Sequence, residues 1–230
     1  MEGTYKGNRD KSSSEEVFKQ EEKLEQLITA LGIPSLYPYV MEADDIIAWL
    51  CATHTDNVII SVDQDFLQLV DSNTSFYNPH RKMLITPANF DQEVGVPLNA
   101  FLYYKAVMGD SSDNIPGFPG YGKVRSRKLA IQLAANNGDL KKLNLADNYF
   151  NIYEKNIALM NLKQGYSVEQ GELEHYRTQM FALKNIQPDF DKFSQLCTEL
   201  GLNNIKDNIL DWTALFTFDK PLNIVDMLGK

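Results

Sequence analysis

A chain of 230 residues with 43% hydrophobic content is long enough to bury one good core with a smaller appended lobe. No run of about 18 apolar residues occurs, which excludes a membrane-spanning helix, and residues 1–9 lack the apolar stretch of a secretion signal. The formal net charge of -9 runs against nucleic-acid binding, since such binders are usually basic. Yet seven carboxylates, Glu42, Asp44, Asp45, Asp63, Asp65, Asp110 and Asp113, fall in three short motifs, and without them the formal charge is only -2. Divalent cations would offset much of that cluster. Cys51 and Cys197 stand far apart and outside any ligand motif, as reduced core residues of a cytosolic protein do.

Taken in order, Lys6 and Arg9 form a small basic cluster that reads by itself as surface charge. Ser13 with Glu16 predicts a capping box and a helix start. Val17, Leu24, Leu27, Ile28 and Leu31 keep a helical period that ends at Gly32. Residues 33–40, with two prolines, read as a short strand and loop. Glu42-Ala43-Asp44-Asp45 opens a buried helix through Ile46, Ile47, Trp49 and Leu50. Acids near a helix N-terminus favour its dipole, but three in four residues exceed what capping needs.

Residues 58–62 are a β-branched run apolar on both faces, as in a central parallel strand. The run ends in Asp63-Gln64-Asp65, and ligands gather at such carboxyl ends in open α/β sheets. A helical pattern restarts at Phe66. Residues 74–78 and 83–86 predict two more strands, Thr86-Pro87 a helix ending at Gly95, and Pro97 a helix carrying Phe101, Leu102, Tyr104, Lys105, Val107 and Met108. That helix delivers the chain to Asp110 and Asp113. Gly117, Gly120 and Gly122 follow, then Lys123, Arg125, Arg127 and Lys128, a glycine-rich turn opening a basic helix. Beyond residue 131 the sequence predicts polar helices over 143–162 and 191–200, the second capped by Asp189 or Asp191 and stopped by Gly201. Residues 212–230 read as an uninformative tail.

Three acidic clusters at the edges of apolar elements suggest convergence on hard cations. Two such ions about 3.5–4 Å apart catalyse in-line phosphodiester displacement. Oxygen ligands, without a suitable Cys/His set, favour Mg²⁺ or Mn²⁺ over zinc. His54, His80 and His175 are isolated, and no P-loop or nucleophile arrangement is visible.

The segments Glu42-Ala-Asp-Asp45, Ser-Val-Asp63-Gln-Asp65-Phe-Leu-Gln-Leu-Val and Met-Gly-Asp110-Ser-Ser-Asp113-Asn-Ile-Pro-Gly, in this order and spacing, resemble the flap endonuclease family. This is the 5′→3′ exonuclease group that includes the N-terminal domain of bacterial DNA polymerase I and phage 5′ nucleases. The resemblance implies an α/β fold: a parallel-sheet, PIN-like nuclease core over residues 1–95, a helical region over 96–205 containing a helix–turn–helix variant, and a tail over 206–230. It implies that Glu42, Asp44 and Asp45 serve one metal, with Asp45 or Glu42 acting through water, and that Asp63, Asp65, Asp110 and Asp113 surround the second. Gly117, Gly120, Gly122, Lys123, Arg125 and Lys128 would grip duplex DNA through backbone amides and charge. Lys6 and Arg9 fall in the segment that contacts the scissile phosphate, as candidate transition-state stabilisers.

The expected activity is thus a Mg²⁺- or Mn²⁺-dependent 5′ nuclease using two ions, acting on DNA with a 5′ flap or on an RNA/DNA junction during replication or repair, in the cytoplasm of a bacterial or phage-infected cell. One departure stands out. Family members place a strand and two aspartates ahead of the Tyr5-Lys-Gly-Asn-Arg9 segment, so the core is expected to be incomplete on its N-terminal side, with an open sheet edge. The alternative expectation is a non-catalytic junction binder, or one half of a split nuclease completed by an N-terminal polypeptide or by replication proteins.

Overall fold

A computed structural model describes residues 14–37, 41–163, 174–175, 178–179 and 186–216. The described residues fall into two compact units, 41–163 in one and the remainder in the other. The sheet region and the helices that follow it as far as residue 163 lie in one unit.

In the first unit, α2 (Ala43–Thr53) begins at the acidic motif, and Asp45 closes a capping box on Glu42, whose N–H donates to Asp45 Oδ2 at 3.1 Å. Strand β1 (Asn57–Ile60) pairs in parallel with β2 (Thr74–Asn78), Asn57 opposite Thr74 and Ile60 opposite Tyr77. β2 in turn pairs antiparallel with β3 (Met83–Ile85), giving the order β1-β2-β3. The parallel pairing agrees with the β-branched run. Among the described residues, β1 has a strand on one side only.

The helical pattern at Phe66 is a 3₁₀ segment, Gln64–Leu69, capped by Asp63. Phe66, Leu67 and Leu69 bury in it against Ile59, Phe76, Ile85, Phe90 and Phe101. Each large apolar side chain so buried contributes about 1.5–3 kcal/mol, enough to impose the tighter helix. Phe90 and Phe101 meet edge-on, with centroids 5.8 Å apart.

Helix α3 (Phe90–Val94) starts later than Thr86-Pro87 suggested, because the Asn89 side chain first closes a turn. Its Oδ1 accepts from Thr86 N at 2.7 Å and its Nδ2 donates to Leu84 O at 2.9 Å. A 3₁₀ turn over Leu98–Ala100 leads into α4 (Phe101–Met108), followed by α5 (Lys123–Ala135) and α6 (Asn148–Met160). Ala106, Val107, Phe118, Leu129, Leu133 and Tyr153 form the core of this helical part. The helix expected over 143–162 starts only at Asn148, since Asp139 caps a separate 3₁₀ turn at Leu140–Lys142.

In the second unit, α1 (Ser14–Ala30) packs with α7 (Phe190–Glu199) through Ala30, Leu31, Phe193, Leu196 and Cys197. Gly32, at φ +73, reverses the chain so that Ile33 N reaches Ile28 O at 3.1 Å, the expected helix stop. Asp189 caps α7 through Lys192 N at 2.9 Å, and Gly201 ends it at φ +66. Part of the expected tail is ordered as α8 (Asn203–Asp207) and α9 (Ile209–Leu215). Residues 33–37 contain no strand; Ser13 and residues 38–40, 164–173 and 217–230 lie outside the described residues. No described helix is long and apolar enough to cross a membrane.

Candidate active site

The carboxyl end of β1 leads directly into the first part of the site. Asp63 N donates to Ser61 Oγ at 3.0 Å, and Asp63 Oδ1 accepts from Asp65 N at 2.9 Å. This side-chain turn fixes Asp65 at the start of a 3₁₀ segment whose next residues are core. Buried Gln68 locks the segment from behind. Its Nε2 donates to Asp65 O at 3.0 Å and to Met160 O at 2.9 Å, while its Oε1 accepts from Leu162 N at 3.0 Å.

The second part comes from the end of α4. Gly109 N still bonds Lys105 O at 2.8 Å, but Gly109 itself is at φ +72, so the helix stops and the chain turns. Asp110 and Ile115 then exchange backbone hydrogen bonds of 2.8 and 2.7 Å, pinching residues 111–114 into a small loop. Within it Asp110 Oδ1 accepts from Ser112 N at 2.9 Å and from the Ser112 hydroxyl. The fully buried Asn156 on α6 fastens this junction, donating to Ala106 O and Pro116 O at 2.8 Å each.

Lys105 joins the two parts. Its Nζ lies 2.8 Å from Asp65 Oδ1 and 2.7 Å from Asp110 Oδ2, with the three side chains 17%, 25% and 18% exposed. Partial burial at such distances makes these interactions far stronger than surface ion pairs. Asp65 Oδ1 is enclosed, with the Lys105 ammonium directly against it.

Burial raises the Asp65 carboxyl, and the Lys105 contact offsets only part of that rise, leaving it above the ordinary carboxylate value. Burial would raise Asp110 as well, but hydrogen bonds from Lys105 and Ser112 prevail and bring it down to about 2. Burial alone would push Lys105 toward its neutral form; its bonds to Asp110 and Asp65 outweigh this and hold its pKa above the usual lysine value. Lys105 also lines a cleft of about 330 Å³ with Gln64, Asn78, Arg81, Tyr104 and Lys123.

The glycines divide into two kinds. A Cβ on Gly117 would run into the Met108 carbonyl, so this glycine is required by the protein's own packing. Gly120, at φ +79, and Gly122 face open space. Gly122 is the N-cap of α5, which has no side-chain cap and no acid in its first turn. Lys123, Arg125, Arg127 and Lys128 are exposed on this helix, and Arg125 Nη1 donates to Gly120 O at 3.2 Å. An uncapped helix N-terminus with basic neighbours is suited to an anion.

Residues 1–95 match the family described as 5'-3' exonuclease, N-terminal resolvase-like domain. Over these residues the chain is similar to the 5′→3′ exonuclease family. It is 33% identical over 155 residues to a 5'-3' exonuclease of Buchnera aphidicola, an alignment covering 66% of this chain and 50% of that protein. It is 36% identical over 143 residues to DNA polymerase I of Rhizobium leguminosarum, covering 60% of this chain and 14% of the polymerase. The chain therefore spans about half the length, or less, of these relatives. Its fold resembles that of the bacteriophage T5 D15 flap endonuclease, solved as a complex with DNA and metal ions. There the TM-score is 0.61 and the identity 21%, over 78% of this chain and 76% of that one.

Against the expectations for this exonuclease relative, Asp65 and Asp110 are brought to one ammonium, and Asp63 is close enough to Asp65 to influence its charge. Glu42 and Asp45 are engaged in starting α2. Among the described residues, no group of three or more His, Cys, Asp or Glu side chains is arranged to hold a metal ion. Lys6 and Arg9 lie outside the described residues. No motif in the sequence assigns a role to Lys105, Gln68 or Asn156. The one available signal was Lys105 itself, a lone cation in an otherwise apolar helix five residues before Asp110.

Proposed function

We propose that this chain acts as a divalent-metal-dependent 5′ nuclease, hydrolysing phosphodiesters of DNA near single-strand/double-strand junctions. The observation that carries the reading is the Asp65–Asp110 pair closed on one cation, in a chain similar to the 5′→3′ exonuclease family. The enclosed Asp65 Oδ1 and an all-oxygen donor set fit a hard ion such as Mg²⁺ or Mn²⁺, which one or two carboxylates and substrate phosphates can hold. The T5 relative solved with DNA and metal ions supports the same assignment.

Asp65 and Asp110 would hold one ion, with Asp63 fixing Asp65 and Asp113 completing the group. Glu42, Asp44 and Asp45 would serve a second. Bound there, such ions supply charge stabilisation to an in-line phosphodiester displacement. The chain's own part is to orient and neutralise. The open backbone at Gly120, Gly122 and the start of α5 would take a duplex phosphate, Lys123, Arg125 and Lys128 would fix its register, and Gly117 would keep the loop packed. Lys6 and Arg9 would offset charge on the scissile phosphate. None of these contacts involves a sugar hydroxyl, so the 5′ strand is DNA or RNA.

A second reading, one half of a split nuclease or a non-catalytic junction binder, is favoured by the edge of the sheet. A groove of about 300 Å³ runs beside β1 between Ile47, Leu50, Cys51 and the strand residues Val58, Ile59 and Ile60. Ile60 and Val62 are 53% and 50% exposed, a liability for an unpaired strand. Cleavage of a 5′-labelled flap duplex by the purified chain in Mg²⁺ or Mn²⁺ separates the readings. Metal-dependent cutting that disappears in an Asp63→Ala, Asp65→Ala variant supports the nuclease. Junction binding without cutting supports the second reading.

A further inference from the structure

We propose that Lys105 is the resident counter-ion of a metal seat, keeping Asp65 and Asp110 in binding position until a divalent ion takes its place between them. The inference rests on the metal-dependent reading above and adds the residue that sets the threshold for metal entry. Nζ touches one oxygen of each carboxylate, at 2.8 and 2.7 Å. Neither carboxylate has another ion pair among the described residues.

Two mostly buried carboxylates facing each other repel, and removing the cation between them would leave an uncompensated charge. Both contacts join opposite charges at short distance, and a divalent ion meets the same demand for positive charge. The displaced side chain also has somewhere to go. Lys105 already walls the cleft shared with Arg81 and Lys123, and neither of these two forms an ion pair among the described residues. Turning into that cleft places a third cation beside them. That arrangement is unfavourable when the cleft is empty and favourable when it holds an anionic phosphate. Metal entry and phosphate binding are thereby coupled through one side chain.

Calorimetric titration of the full, DNA-free chain with MnCl₂ tests the exchange, comparing wild type with Lys105→Gln and Lys105→Met. Loss of a competing charged hydrogen bond predicts about tenfold tighter Mn²⁺ binding in both variants. Equal or weaker binding in variants with unchanged circular dichroism overturns the exchange and leaves metal binding intact. Absence of Mn²⁺ uptake by wild type and both variants overturns the exchange and the metal-dependent reading together. Wild type alone gives a second readout that does not depend on how the variants fold. Acetylation of Lys105, followed by peptide mass spectrometry, should be slow in EDTA and rise several-fold on adding Mg²⁺. Unchanged reactivity contradicts the exchange.

Discussion

Gly109 and Gly117 face each other across the turn that presents Asp110: a Cβ built on Gly109 would strike the backbone of Gly117, and one on Gly117 would strike Met108 O. The turn is therefore closed by backbone against backbone. Gly117→Ala should destabilise the protein by about 1–3 kcal/mol through overpacking. Gly122 faces open space with an extended backbone, at φ -90 and ψ -179, so Gly122→Ala should cost only about 0.5 kcal/mol, as alanine is a poor N-cap, while weakening binding to a flap duplex. Equal stability losses in the two variants would show that this division of the glycines is wrong.

Asp110 contributes a pH dependence of definite sign. Its carboxyl is held at about 2 against an ordinary 3.8, so the folded state binds its proton less readily than the unfolded one. The stabilisation is fully present above pH 3.8 and disappears as pH falls from 3.8 through about 2. The difference in thermal midpoint between wild type and Asp110→Asn should shrink across that interval. A difference that is flat from neutral pH to pH 2 contradicts the Lys105–Asp110 coupling.

Asn156 spends both amide hydrogens on carbonyls that border the site, Ala106 O and Pro116 O. Asn156→Ala leaves one buried and one partly buried acceptor unpaired, a loss of roughly 2–6 kcal/mol if each costs about 1–3. Because the residue touches neither carboxylate, Asn156→Ala should lower stability in denaturant melts. At temperatures where the variant stays folded, it should lower flap cleavage only modestly. A stability within 0.5 kcal/mol of wild type would contradict the fastening role.

The basic face of α5 predicts a salt signature. If Lys123, Arg125 and Lys128 each contact a phosphate, replacing one with alanine lowers the slope of log affinity against log salt by about 0.9. Fluorescence anisotropy of a labelled flap duplex over a range of KCl concentrations measures this slope. A triple variant with the wild-type slope would place the DNA elsewhere.

What could be read from the chain was local. Asp63 and Asp65 at a strand end, Asp189 or Asp191 as a cap and Gly32, Gly95 and Gly201 as stops are all set by turn and capping chemistry within a few residues. The acids at 42–45 were harder to apportion, because one motif carries both a capping box, seen for Glu42 and Asp45, and a proposed metal role. Gly117 resembled Gly120 and Gly122 in the sequence, and only its approach to Met108 O separates them. The link from Lys105 to Asp65 depends on α4 crossing the 3₁₀ segment after β1, a tertiary contact with no periodicity to announce it. The apolar run of β1 by itself matches a strand covered on both sides, and an open sheet edge was expected only from the family resemblance.

The most direct test of the account is single-turnover cleavage of a 5′-labelled flap duplex in Mg²⁺, comparing wild type with Asp65→Asn and Asp110→Asn prepared identically. The account predicts metal-dependent cutting by wild type and a loss of at least about a hundredfold in each variant, the scale expected when a group stabilising transition-state charge is removed. Cutting by either variant at the wild-type rate would contradict the claim that this carboxylate pair is the catalytic metal seat.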